Sequence, residues 1–391
     1  MNLAAICAAQ FLTLAGMTAV LPLLPLYLQQ IGVTDRDALR YWTGILGSAP
    51  FAIAVFATPF WGALADRFGH KPMVVRSVSG IALTTFGMGV ATSPFALLGW
   101  RAVQGAVSGV FPAAVALVSS LTPEPGVGRA LAILQSARAA GGLSGPLIGG
   151  LLADLVGIRG LFFGVGTIAA TSAVACAAIL REPPPHEVHP SRAEDAVSWR
   201  ELLAEREMLV MLALVVAYQT TAMASWPTLA LYVESFGVAP AAVATTTGVV
   251  IFAAGLPALL VATVWARLGT RFGLDRALAA ALVAGGAANA AVGLLAHRIE
   301  VLIALRTLSG LSMAGFIPLA FQWTGMRAPP HARGRVAGFG STAMMIGNVI
   351  GPLLGGWIAV HVNLAATFWM PGLALGAAGV VFAATRWSQT S

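Results

Sequence analysis

The sequence predicts an all-α integral membrane protein of twelve transmembrane helices in two six-helix bundles. Three observations lead there: the composition is too apolar for a soluble chain, twelve stretches are long enough to cross a bilayer, and the second half repeats the first.

The 391 residues are 58% hydrophobic and 9% charged, where a soluble domain carries about 25% charged residues. A net charge of +7 would suggest nucleic acid in a soluble protein. Here the charges cluster in short links between apolar stretches, so no nucleic-acid partner is expected. Cys7 and Cys176 both fall inside apolar stretches, far apart in sequence, and form neither a disulfide framework nor a metal quartet.

A helix needs about 20 mainly apolar residues to cross the hydrocarbon layer. The first span, about residues 4–28, is too long for a signal peptide, lacks a basic start, and runs through Pro22 and Pro25 without a cleavage site. The second, about 42–61, ends at the polar link "GALADRFGHK", and the third, about 73–92, follows it. The fourth, about 96–118, holds Arg101, and the fifth, about 131–153, holds "GGLSGPLIGG". The sixth, about 161–180, ends where the longest polar run begins. Beyond that run come spans at about 208–233, 243–265, 277–296, 301–322, 336–358 and 366–386, separated by short polar links.

Orientation follows from the basic residues. With the N-terminus inside, the inner links hold most of them, including Arg67, Lys71, Arg76 and Arg129, while the outer links hold only Arg36, Arg40, Arg159 and Arg298. Both termini are therefore expected in the cytoplasm, and "GALADRFGHK" joins spans 2 and 3 there.

The polar run "REPPPHEVHPSRAEDAVSWRELLAERE", 181–207, reads as a cytoplasmic linker between an N-terminal bundle, 1–180, and a C-terminal bundle, 208–391. Its "HEVH" lacks the further ligands a metal site needs. The two halves align. Arg101 pairs with Arg306 and Gly105 with Gly310, each 205 residues apart, and Gly145 pairs with Gly351 at 206. Tyr27 falls over Tyr232. Six spans repeated in one orientation mark a duplicated transporter.

"GALADRFGHK" resembles the loop 2–3 signature of the major facilitator superfamily, G-x-L-A-D-R-x-G-R-K, departing only at His70, where arginine is usual. "RAVQG" in span 4 and "GGLSGPLIGG" in span 5 are similar to signatures of the twelve-span drug:proton antiporters. The resemblance covers nearly the whole chain and implies a major facilitator fold and secondary active transport by alternating access.

In "GALADRFGHK", Gly62 and Gly69 are expected to allow a tight turn and close backbone approach. Asp66 suits the positive N-terminal end of a helix. The resemblance implies that this helix is span 11, met in the outward-facing state, and that Arg67, Arg76, Glu124 and Arg129 join a charge network latching the halves. Lys71 is placed to meet anionic lipid headgroups. The second repeat has Thr270 where Asp66 would fall, so the latch is expected on one side only.

Gly141, Gly145 and Gly149 recur at four-residue steps on one helix face, and Pro146 frees a carbonyl and permits a bend. The face serves either ordinary tight packing or, as the resemblance implies, a bend at the interface with the other half.

Arg101, Arg138 and Arg306 fall inside spans, where a charge faces a watery cavity or a partner, or snorkels to the surface. Gln104 lies one turn from Arg101. None of the fifteen acids lies at mid-depth, which departs from the many drug:proton antiporters that carry an acid inside the N-terminal half. An acid-poor, basic cavity suits a neutral or anionic substrate better than a simple cation. Gln10, Thr13, Gln135, Tyr218, Asn289, Gln322 and Asn348 are further polar candidates, each either lining the cavity or bonding between helices. Gln219 and Trp226, two turns apart on span 7, are expected to share a face.

The expected function is export of a small drug-like or amphipathic molecule by a monomeric carrier in the bacterial inner membrane, with proton antiport as the candidate driving force and no cofactor. A carrier for a sugar, organic anion or other metabolite is the alternative. An enzyme is not expected, since all six histidines lie in or beside loops and no HExxH is present.

Overall fold

A computed structural model describes residues 2–181, 205–329 and 332–387, with the side chains of Asp66, Glu124, Ala262 and Trp387 outside that description. Most of the 181–207 linker, its "HEVH" included, also lies outside the described residues.

The described chain is helical throughout. Helix α1, Asn2–Gln30, tightens into a 3₁₀ turn at Leu21–Leu23, where Pro22 and Pro25 withhold two backbone donors. Helix α2, Arg36–Phe68, starts at Asp35, whose carboxylate accepts from the Ala38 amide at 2.6 Å. Helix α3, His70–Val90, leads to α4, Pro94–Leu121, which breaks at Gly109. Glu124–Ile179 is one helical run interrupted at Gly157, whose φ of 77° reverses the chain. Its arms, 124–156 and 158–179, are here α5 and α6. The reversal shows in their shared neighbour: Gly145 packs on Ala15 and Gly16 packs on Val165. In a straight helix residues 145 and 165 would stand about 30 Å apart.

Helix α7, Arg206–Ala224, continues after a turn as Leu229–Glu234. Then come α8, Val243–Phe272, α9, Leu274–Leu295, and α10, Ile299–Arg327, broken at Ala314–Gly315. Helices α11, Arg333–His361, and α12, Ala366–Trp387, complete the set. The twelve expected spans are all present among the described residues, and most of their ends reach beyond those hydropathy alone gave.

"GALADRFGHK" differs most from expectation. Gly62–Phe68 is helical, and the link shrinks to Gly69 with φ of 91°. Gly62 neither turns the chain nor admits a close neighbour, because nothing lies within 4 Å of where its Cβ would be. The alanines and leucine at 63–65 favour helix, and one left-handed glycine suffices to reverse direction. The repeat uses the same device: Gly273, also at φ 91°, separates α8 from α9.

By packing, the chain forms two compact units, Met1–Glu187 with Leu229–Phe252, and Val188–Thr228 with Ala253–Ser391. In the first, Ile6, Val78, Leu117, Leu134 and Cys176 meet from five helices. In the second, Met211, Leu282, Phe316, Ala343 and Phe382 do so.

Each unit repeats the other's contacts. In the first, Gly105 lies against the Pro50 backbone and the Trp61 indole donates to Ala106 O at 2.6 Å. In the second, Gly310 lies against the Ala254 backbone and the Trp265 indole donates to Leu311 O at 2.9 Å. The internal duplication read from the sequence is thus built into both packing schemes.

Candidate functional site

Arg101 is 4% exposed. Its Nε donates to the Leu46 carbonyl of α2 at 2.9 Å and its Nη1 to Gln104 Oε1, one turn along α4, at 2.7 Å. Gly105 on the next residue admits α2 to within backbone contact, and that closeness brings the Leu46 carbonyl within reach. A charge at this depth is costly unless it is partnered, and a guanidinium can serve two acceptors at fixed angles. Arg101 therefore joins α2 to α4 rather than pointing freely outward.

Arg306 is 7% exposed and does not reach the surface. Its guanidinium lies 5.6 Å from the Phe368 ring centroid, and its Nε has no hydrogen-bond partner among the described residues. Ser309, at the place of Gln104, bonds Met313 instead. Arg138 sits half-buried over the Phe111 ring at 4.4 Å, so its partner is an aromatic face rather than a carbonyl.

Several polar candidates bond within their own unit. The Gln10 amide donates to Val110 O at 3.1 Å, Tyr218 to Met313 O at 3.0 Å and Asn289 to Phe368 O at 2.9 Å. Gln219 donates to Asn348 Oδ1 at 2.7 Å, tying α7 to α11. Trp226 does not share a helical face with Gln219, because α7 stops at Ala224 and Trp226 lies in the turn that follows. Pro227, which cannot donate a backbone N–H, sits in the same turn.

The glycine face of α5 is packed inside its own unit. A Cβ at Gly141, Gly145 or Gly149 would strike Phe11, Ala15 or Ala19 of α1. The bend expected there at the interface with the other half is not what this face serves. The second unit repeats the arrangement, with Gly347, Gly351 and Gly355 of α11 against Gln219, Met223 and Ala224 of α7. The neighbouring face of α5 meets the start of α8: Gly150 lies on Ala244, and Gly248 on the Pro146 carbonyl. Beside them Asp154 Oδ2 accepts from the Thr245 amide at 2.7 Å. Nothing local in the sequence joins positions 154 and 245.

Near the N-terminal end of α3, the Arg76 guanidinium lies 3.4 Å from the Trp61 ring centroid and donates to Ser77 Oγ and Ser108 O. Arg67 lies over the Phe68 ring at 5.5 Å, Lys71 is half-buried, and Arg129 is exposed. The carboxylates of Asp66 and Glu124 lie outside the described residues.

A second charge cluster went unread in the sequence. Glu207 accepts from Arg386 Nη1 at 2.6 Å and lies 3.3 Å from Arg327 Nε. Arg327 covers the Trp323 ring at 3.7 Å, and that indole donates to Asp275 Oδ1 at 2.6 Å. These residues come from four helices with no local spacing to announce them.

No group of three or more His, Cys, Asp or Glu able to hold a metal occurs among the described residues. Twelve crossing helices with duplicated packing define a membrane transporter. The chain belongs to the Major Facilitator Superfamily, whose family model matches residues 6–244 and again 211–390. It is 32% identical over 366 residues to the uncharacterized MFS-type transporter YuxJ of Bacillus subtilis (strain 168), covering 93% of this chain and 92% of that one. It is 32% identical over 363 residues to the multidrug resistance protein MdtG of Proteus mirabilis (strain HI4320), covering 92% and 89%. The fold is shared with the nucleoside transporter NupG (TM-score 0.76, 14% identity, 100% of both chains). It is also shared with the human organic anion transporter MFSD10 (TM-score 0.69, 18% identity, 97% and 98%). The chain is a secondary active transporter, multi-pass in the inner membrane, and not an enzyme.

Proposed function

We propose that this transporter exports small drug-like or amphipathic molecules. The observation that carries the reading is the 32% identity to multidrug resistance proteins over 92% of the chain, against the 14–18% of the nucleoside and organic anion transporters that share the fold. The residues agree with it. Drug sites are mostly apolar with a few polar anchors, and Arg101 with Gln104 in one unit and Arg306 in the other are such anchors.

The bundles 1–180 and 208–391 alternate access as a monomer, with the 181–207 linker and both termini in the cytoplasm. Asp66, Arg67, Arg76, Glu124 and Arg129 close the inner side in one state, and Asp154 with Gly150 and Gly248 closes the outer side in the other. Proton antiport is the driving reaction.

A second reading has its own observation. Two buried arginines and no mid-helix carboxylate also suit an organic anion or another metabolite. Everted vesicles separate the two: proton-driven uptake of a lipophilic dye supports drug export, and uptake confined to organic anions or sugars supports the metabolite carrier. Reporter fusions after Glu187 and Ser391 should read cytoplasmic and one after His297 external; a periplasmic signal at Glu187 would overturn the topology.

A further inference from the structure

The first turns of α7 and the last turns of α12 enclose a groove of about 660 Å³. Its α7 wall is Val210, Ala213, Leu214 and Ala217, and its α12 wall is Ala378, Val381, Phe382 and Thr385. Both walls follow the i, i+3, i+4, i+7 stripe of a single helix face. Alanine at three of the eight positions leaves the hollow. Arg206, Glu207 and Arg386 stand at its mouth.

Val210 and Val381 line the groove and are nevertheless 39% and 62% exposed. In a membrane-spanning chain, apolar side chains that face outward beside a hollow meet acyl chains rather than water. From Arg206 to Ala217 the groove runs about 16 Å along α7, close to half of the roughly 30 Å hydrocarbon layer. It thus has the depth of a single leaflet, with charge at the headgroup level and apolar walls below.

The mouth is basic. Arg386 and Arg327 share Glu207, and Arg206 stands exposed beside them. Among the residues that line the groove itself, two guanidinium groups, Arg206 and Arg386, stand beside one carboxylate, Glu207, which leaves its lining one positive charge in excess.

The internal repeat supplies a comparison. A groove of about 370 Å³ lies between α1 and α6 in the first unit, with Ala5, Ala8, Ala9 and Leu12 on its α1 wall. Those positions map onto 210, 213, 214 and 217 at the repeat offset of 205 residues. No charged residue lines it. The counterparts of Arg206 and Arg386 are Met1 and Leu180, and Arg181 lines a separate hollow with Val118 and Leu121. The bundle fold therefore makes the groove in both units, while the basic mouth belongs to the second alone.

We propose that the α7–α12 groove is a binding site for one anionic glycerophospholipid of the surrounding leaflet. Its phosphate is held by Arg206 and Arg386, and one acyl chain lies along Val210–Ala217. A zwitterionic lipid brings its own cation to the same place and gains less.

Delipidated full-length protein in detergent is titrated with phosphatidylglycerol, with phosphatidylcholine of the same chains, and with inorganic phosphate. Native mass spectrometry and thermal unfolding follow binding. Phosphatidylglycerol should bind and stabilise at lower concentration than phosphatidylcholine, and phosphate should do neither. R206Q, an exposed change, should weaken phosphatidylglycerol about fivefold, the factor equivalent to about 1 kcal/mol per basic residue at an anionic surface. Ala213→Phe, which fills the groove and keeps every charge, should weaken both lipids. Equal binding of the two lipids by the unaltered protein overturns the proposal. So does stabilisation by phosphate alone, or an unchanged phosphatidylglycerol preference in R206Q.

Discussion

The carboxylate of Asp154 caps α8 through the Thr245 backbone amide at 2.7 Å. The two residues lie 91 positions apart in the chain. First-turn amides have no partner within their own helix, and a carboxylate there gains about 0.3–1 kcal/mol, more when partly buried. Gly150 on Ala244 and Gly248 on the Pro146 carbonyl bring the two helices close enough for it. Gln29 Nε2 lies 3.4 Å from Glu234 Oε2.

Asp154→Asn should shift the carrier toward its outward-facing state. If the cap forms in one state only, removing about 1 kcal/mol from that state raises the other about fivefold, and a contact equal in both states would shift nothing. Labelled pairs across the outer ends of α5 and α8, read by spin-label distances, should show a larger long-distance fraction. An unchanged distribution would reduce Asp154 to a local cap.

Asp66→Asn should act with the opposite sign, raising inward-facing occupancy and slowing transport while expression stays normal. The double variant should restore a population near that of the unaltered protein. Normal transport by Asp66→Asn would leave "GALADRFGHK" as a connector.

Most of the fold was legible and much of the site was not, for one reason. Span positions, the repeat and the turn glycine at 69 are local signals in an apolar background, and each appears in the structure, whereas Gly62 proved to lie within a helix. The ends ran short because hydropathy falls before the helix stops, as at Gly62–Phe68. Partners are not local. Asp154 with Thr245, Glu207 with Arg386, and Arg101 with Leu46 each join separate helices, and composition cannot pair them. The glycine stripe at 141, 145 and 149 was visible, but its partner helix was not.

Arg101→Ala should remove most transport and lower thermal stability by about 1–3 kcal/mol, because Gln104 and the Leu46 carbonyl are left buried without their donor. Arg101→Lys should recover only part, since a point charge cannot serve both acceptors. Arg306→Ala should be milder, its Nε having no hydrogen-bond partner among the described residues. Unaltered melting and transport in Arg101→Ala would deny the residue both roles.

Gly145→Ala should fail to accumulate, because the added methyl meets the Ala15 backbone and the Thr18 hydroxyl. Gly351→Ala should do the same against Thr220 and Met223. Gly62→Ala, with open space around it, should accumulate at least as well as the unaltered chain, since alanine favours helix over glycine by about 1 kcal/mol. Membrane-fraction yield and melting temperature decide the comparison, and equal yields for all three would contradict the packing account.

Counterflow in proteoliposomes of the purified protein is the most direct measure of drug transport, because it needs substrate recognition and alternation but no ion gradient. Vesicles preloaded with unlabelled lipophilic drugs should transiently concentrate the labelled compound, while vesicles preloaded with sugars, nucleosides or organic acids should not. Counterflow only with a sugar, nucleoside or organic acid, or none at all from folded protein, would contradict drug transport by this chain.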